Sequence, residues 1–321
     1  MASLLLALSR NLRAFLGSHG RRILTGALVL VTFTILGFVI VRDWDTLRQF
    51  RWHLRPSLLA LAWCCHAVSL AGTFVVWKLI MSDLGSPVEA GTDFHIYFLS
   101  LAARKIPSAI WYAGTRFFLY RQKGVSGSLV LTAVALEFGI AVLTGGWVFV
   151  AFRSSYLFME HYEWVEYGVL ALTLVLTGLY LVQPDLPVRW ARRGKEGGNH
   201  PIVVLNRSRF LTCCVIYLVS WVVGGTSFYL TIEALIPNQG IDWVNAVGVA
   251  TLSTLVVLAG TVLPTGIGLK ELAAGVLLGA WLPVPVGLSV AVAYRILQLA
   301  DEALWVGAAY FFRSEKPERV R

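Results

Sequence analysis

Runs of about 20 apolar residues recur along this 321-residue chain, each long enough to cross the hydrocarbon layer of a bilayer as one helix. A chain with several such runs has two options, a very large greasy core or a membrane. Charge content decides between them. Only 14% of the residues are charged, against roughly 25% in an ordinary soluble domain. So few charges cannot cover that much apolar surface in water. Mean hydropathy is +0.70. The sequence therefore predicts an all-α, polytopic transmembrane helical bundle with roughly seven to nine membrane segments.

The runs fall at 23–41, 56–81, 127–152, 162–182, 210–234, 243–263 and 283–312. Residues 1–22 form a basic amphipathic lead with Arg10, Arg13, Arg21 and Arg22, suited to an anionic leaflet. Residues 23–312 read as a single transmembrane domain, and 313–321 as a basic tail. No cleavage pattern precedes the first run, so it is expected to stay as an anchor. Two further segments are apolar but interrupted. Segment 92–111 carries Asp93, His95, Arg104 and Lys105 and is broken by Pro107; segment 269–282 follows the break at Pro264-Thr265-Gly266-Ile267-Gly268.

The net charge of +9 lies between apolar runs rather than on a folded face, which points to membrane orientation and away from nucleic acid. Stretch 183–209 has six Lys/Arg against two acids, and 313–321 has four against two. Loop 154–166 carries Glu160, Glu163 and Glu166 without a basic residue. The positive-inside rule places 183–209 and the C-terminus in the cytoplasm and 154–166 outside. Residues 42–55, with four Arg, are then an exception on the outer side. The cysteines form two adjacent pairs, Cys64-Cys65 and Cys213-Cys214, inside apolar runs, and read as small core residues rather than a disulfide or zinc framework.

An ionisable residue within a span is costly unless it faces protein or water. Glu137 lies mid-run, with Ala133, Ala141 and Thr144 on its helical face, so it should point into the bundle. Arg295 shares a face with Gln298 and Glu302 and suits an anion such as phosphate. Its other reading is a local pair with Asp301 or Glu302. The stripes His66/Ser69/Thr73 and Ser220/Gly224/Ser227/Thr231 have the spacing of helix-to-helix contacts. The two broken segments are candidate transporter-site elements, because irregular backbone at membrane depth survives only against protein or water. The candidate translocation site thus comprises Arg104, Lys105, Pro107, Arg116, Glu137, Pro264, Gly266, Gly268, Lys270, Glu271 and Arg295. The sequence carries no metal cluster, catalytic triad or nucleotide loop, so neither cofactor nor catalytic residue is assigned, and transport would be passive or coupled to an ion gradient.

The same residues resemble a known family. Pro107, Arg116, the Gly124 turn and Glu137, then Pro264-Thr265-Gly266-Ile267-Gly268 with Glu271 and Arg295, follow the order seen in the flippase-like integral membrane family. That family includes the transmembrane half of bacterial lysylphosphatidylglycerol synthases. The resemblance covers about 42–312. It implies a helical bundle with re-entrant segments, in the bacterial inner membrane, that moves a lipid or polyprenyl-phosphate-linked sugar between leaflets. The aminoacyl-transferase domain that follows in the synthases is not expected here. A membrane-embedded glycosyl- or aminoacyl-transferase with a lipid acceptor, and a small-solute or ion transporter, are the alternative readings.

Overall fold

A computed structural model describes residues 34, 37, 38, 41–103, 110–152, 163–182, 205–259 and 268–311. The amphipathic lead, most of the first run, the 183–204 stretch, the basic tail and both proline breaks lie outside the described residues. Ten helices are described. They are α1 (Trp44–Gln49), α2 (Pro56–Asp83), α3 (Ala90–Ala103), α4 (Ile110–Gln122), α5 (Gly127–Ala151), α6 (Glu163–Val182), α7 (Arg207–Leu235), α8 (Trp243–Ala259), α9 (Leu269–Leu278) and α10 (Val284–Phe311). Four of them, α2, α5, α7 and α10, are long and apolar enough to cross a membrane. This is the all-helical bundle that the apolar runs predict.

The elements start and stop for local reasons. Pro56 sits in the first turn of α2, where its missing N–H costs nothing. Ser126 caps α5 by accepting from the Leu129 N–H at 3.3 Å. Between α4 and α5 the chain turns at Gly124, whose φ of +79° favours glycine. Its N–H closes the turn on the Arg121 carbonyl at 3.1 Å. Gly268, at φ +98°, precedes α9.

The centre of the bundle is the antiparallel pair α2 and α7. The His53 and Arg55 N–H groups bond the Leu235 and Ala234 carbonyls at one end, and Arg209 pairs with Asp83 at the other. Midway, the Ser69 hydroxyl donates to the Ser220 carbonyl at 2.7 Å, and that of Ser227 to the Ala62 carbonyl at 2.6 Å. The two small-residue stripes thus zip the helices together. A Cβ on Gly72 would lie 2.3 Å from the Ser220 hydroxyl, which would have to turn away.

Around this pair the chain repeats one order of elements. A long helix, two shorter helices and another long helix occur as α2–α3–α4–α5 and again as α7–α8–α9–α10. The short helices have 14 and 13 residues in the first half and 17 and 10 in the second. At 1.5 Å per residue, the described part of each is shorter than the roughly 30 Å hydrocarbon layer. In the first half they form an antiparallel hairpin, because Tyr120 bonds Asp93 near its open end and Arg116 bonds Ser100 nearer the break. Asp93 also meets Lys78, so the hairpin enters and leaves at the C-terminal end of α2.

The two halves are inverted relative to each other. Along α5, Glu137 meets Tyr217 and Thr144 meets Trp221, so α5 runs parallel to α7. Along α10, Asp301 meets His66, and Trp305 stacks on Phe98, which packs on Phe74, so α10 runs parallel to α2. The packing is reciprocal, with α3 against α10 and α8 against α5. Helix α6 joins the halves and lies against α5, where Thr173 faces Gly146.

Backbone contact between α7 and α8 tests this packing. A Cβ on Gly225 would stand 2.9 Å from the Val247 Cα. Gly225→Val should destabilise the protein by about 1–3 kcal/mol, as overpacking does. Gly139→Ala, with nothing within 4 Å of its Cβ, should leave it unchanged or slightly more stable. Thermal unfolding of the two variants in one detergent measures the difference.

Candidate functional site

Charges that the sequence leaves in apolar surroundings must find partners inside the bundle, and they do so twice. In the first half, α5 places Glu137 inward, 6% exposed, between fully buried Ala133 and Thr144 at 2%. Helix α4 brings Arg116 to it. The guanidinium Nη1 donates to Glu137 Oε2 at 2.5 Å, and Nε donates to the Ser100 hydroxyl at 2.9 Å. Tyr112 donates to the same carboxylate oxygen at 3.1 Å, while Tyr217 reaches the other at 3.5 Å. Three rings enclose the cation, with its central carbon 3.8 Å from the Trp77 ring centre, 4.2 Å from Tyr112 and 4.5 Å from Tyr97. Arg116 is 0% exposed, and its Nη2 has no hydrogen-bond partner among the described residues.

A second network surrounds the mouth of this hairpin. Lys78 holds Asp93 and the Val88 carbonyl. Tyr120 donates to Asp93 at 2.7 Å and accepts from the Trp77 indole at 2.8 Å. The carboxylate is fully buried yet satisfied on both oxygens, as a charge removed from water must be.

In the second half the signs are exchanged. The short helix α9 carries the acid and the long helix α10 the guanidinium. Glu271 Oε1 lies 3.3 Å from Arg295 Nε, and its other oxygen accepts the Gly268 N–H at 3.0 Å. Lys270 Nζ points to Gln298 Oε1 at 3.5 Å and sits 5.6 Å from the Tyr294 ring centre. The Tyr294 hydroxyl donates to the Gly224 carbonyl at 3.0 Å. A small cavity opens here, lined by Phe228, Ser253, Lys270, Glu271, Tyr294 and Gln298. The second pair is looser than the first, with Arg295 20% exposed at its side chain.

Six of the predicted site residues therefore fall into two groups: Arg116 with Glu137, and Gly268, Lys270 and Glu271 with Arg295. Glu137 and Arg295 do not share a partner; each pairs within its own half. Arg295 takes Glu271 rather than Asp301, which is bound to His66 at 2.5 Å. Arg104, Lys105, Pro107, Pro264 and Gly266 lie outside the described residues. The cysteines are all free, but only Cys213 is buried and Cys64 is exposed, so Cys64 is not a core residue.

The aromatic enclosure is what sequence reading misses. Tyr112, Arg116 and Tyr120 recur at four-residue spacing on one face of α4, the signal that could have found it. Nothing in the sequence points from that face to Trp77 or Tyr217.

Chemically, each half offers a hydrogen-bonding carboxylate and a guanidinium fork at the end of a short-helix hairpin. These are the groups that replace water around a phosphate, an amine or a sugar hydroxyl. No protein-family model matches this chain, and no curated protein matches it either.

The first pair also makes a stability prediction. Removing one member of a buried pair strands the other charge and costs about 3–5 kcal/mol, whereas replacing both with apolar groups is often neutral. Arg116→Met alone should lower the unfolding temperature strongly, and Arg116→Met combined with Glu137→Met should recover most of the loss. A double variant as unstable as the sum of the singles would show that the two residues are not coupled.

Proposed function

We propose that this chain is a translocase that moves a lipid or a polyprenyl-phosphate-linked sugar between membrane leaflets. One observation carries the reading: two inverted halves, each with a pair of shorter helices and an ion pair where one of these meets a long helix. Inverted repeats with interrupted helices and central polar sites are the usual construction of secondary transporters. The ordered likeness of Arg116, Gly124, Glu137, Glu271 and Arg295 to the flippase-like family agrees with it.

The mechanism follows from what a headgroup needs. It must cross about 30 Å of hydrocarbon, where an unpaired charge is heavily penalised. A carrier offers substitutes for water at mid-depth while the acyl chains stay in lipid. Arg295, with Lys270 beside it, receives the phosphate when Glu271 releases it. Glu137, with Tyr112 and Tyr217, receives an amine or a hydroxyl when Arg116 swings away. Because the halves are inverted, the first hairpin opens at the C-terminal end of α2 and the second at the opposite end. Arg209, in the basic stretch 183–209, and the C-terminal end of α10, which the basic tail follows in sequence, lie at the first of these ends. We place that end in the cytoplasm of a cell-membrane protein.

The test is lipid movement by the purified protein in vesicles. Glu137→Gln keeps the shape and removes the charge, and Arg295→Lys keeps the charge and removes the planar fork. Each should slow leaflet exchange by at least about tenfold, the scale of one hydrogen bond to a charged group. Parental rates in both folded variants would make these residues structural and refute the site. Attachment of a sugar or an aminoacyl group to the lipid, without transfer between leaflets, would instead favour a membrane transferase.

A further inference from the structure

A carrier that concentrates its cargo needs a source of energy, and the two arginine–carboxylate pairs are poor candidates for receiving it. Both contain arginine, which keeps its proton throughout the physiological range. Among the described residues, one buried pair joins a histidine to a carboxylate: His66 on α2 with Asp301 on α10. His66 Nδ1 lies 2.5 Å from Asp301 Oδ2, with side-chain exposures of 10% and 2%. The two residues are 235 positions apart and tie the first long helix of one half to the last long helix of the other.

We infer that His66 and Asp301 form a proton-binding site that couples movement of the two halves to a proton gradient. The inference rests on the translocase reading and adds the coupling ion to it. At so short a separation a proton must lie between nitrogen and oxygen. With the imidazole doubly protonated, the pair is neutral overall and closes α2 on α10. When the second ring proton leaves, the pair keeps one net negative charge among apolar helices, and the contact weakens. The proton comes from one aqueous side, binds the ring and departs to the other, with no other bond made or broken. Histidine is the side chain whose ordinary range allows this between pH 5 and 8.

The pair is also placed to pass its state on. The His66 ring stands edge-on to Tyr294, 6.3 Å between centres. Tyr294 lines the second-half cavity with Lys270, Glu271 and Gln298 and anchors α10 to α7 through Gly224. The other titratable groups around the site are Cys65 beside His66, Glu302 beside Asp301, and Lys270 across the Tyr294 ring. Helix α3 brings His95, bonded to the Ala309 carbonyl two turns along α10, and Asp93, held by Lys78. Helix α5 carries Glu137, paired with Arg116; α7 presents Ser227, and α1 carries Asp45 and Arg48.

The experiment uses the purified full chain in vesicles containing phosphatidylglycerol with a fluorophore on one acyl chain. The reading is the final ratio of probe between leaflets under an imposed pH gradient. That ratio does not depend on rate, so a slow variant still reports. One proton per lipid would shift the ratio about tenfold for each pH unit. We expect a gradient-dependent ratio that a protonophore abolishes, and a ratio blind to the gradient in His66→Gln and Asp301→Asn. In detergent, wild type should take up about one proton more than His66→Gln between pH 8 and 5.5. A wild-type ratio of one to one under every gradient overturns the coupling and leaves the translocase reading standing. If wild type moves no probe while the extra proton is still taken up, the translocase reading has failed. If no extra proton is taken up, the proton site has failed, whatever the lipid does. Should Asp301→Asn not fold, the wild-type ratio with and without protonophore decides.

Discussion

Close antiparallel contact between α2 and α7 is the constraint on which the rest depends. Ser69 donates to the Ser220 carbonyl and Ser227 to that of Ala62, while Gly224 gives room to the Ser69 hydroxyl and Gly72 to that of Ser220. Small residues let two backbones approach, and hydroxyls then bond across the gap, which is how helices associate without a hydrophobic driving force. Because this pair is antiparallel, every later element of the second half runs opposite to its counterpart in the first. Helices α5 and α10 flank the pair from their respective halves. Glu137 and Asp301 thereby arrive near its middle, the one through Tyr217 and the other through His66.

The exchange of signs between the halves has a physical consequence. Arg116 on a short helix faces Glu137 on a long one, whereas Glu271 on a short helix faces Arg295 on a long one. Each pair is internally compensated, so neither ion pair leaves a net charge in an apolar environment. The first pair is closed and ringed by aromatic side chains; the second is longer and borders a cavity. Opening one pair while the other stays shut never exposes two uncompensated sites at once.

Much of the fold is legible in the sequence. Hydropathy alone gives α2, α5, α7 and α10 to within a few residues, because each is mostly apolar and is bounded by a proline, a capping side chain or a turn residue. The Gly124 turn and the inward placement of Glu137 are legible for local reasons, glycine's access to positive φ and the small residues on one helical face. The partners are not. Arg116 and Glu137 are close in sequence, but Glu271 and Arg295, and above all His66 and Asp301, meet only because α2 and α7 fix the order of the whole bundle. The inversion is illegible for the same reason: the halves share lengths and roles while their charges are swapped, so residue-by-residue comparison finds no repeat.

Thiol labelling from each side of the membrane tests the central claim, that two inverted halves expose their sites in opposite directions. Cys64, Cys65, Cys213 and Cys214 would first be replaced by serine or alanine. Ser100→Cys, beside Arg116, and Ser253→Cys, in the second-half cavity, would then be probed separately with an impermeant thiol reagent. The account predicts that Ser100→Cys reacts from the cytoplasmic side and Ser253→Cys from the outer side. Reaction of both from the same side would contradict it.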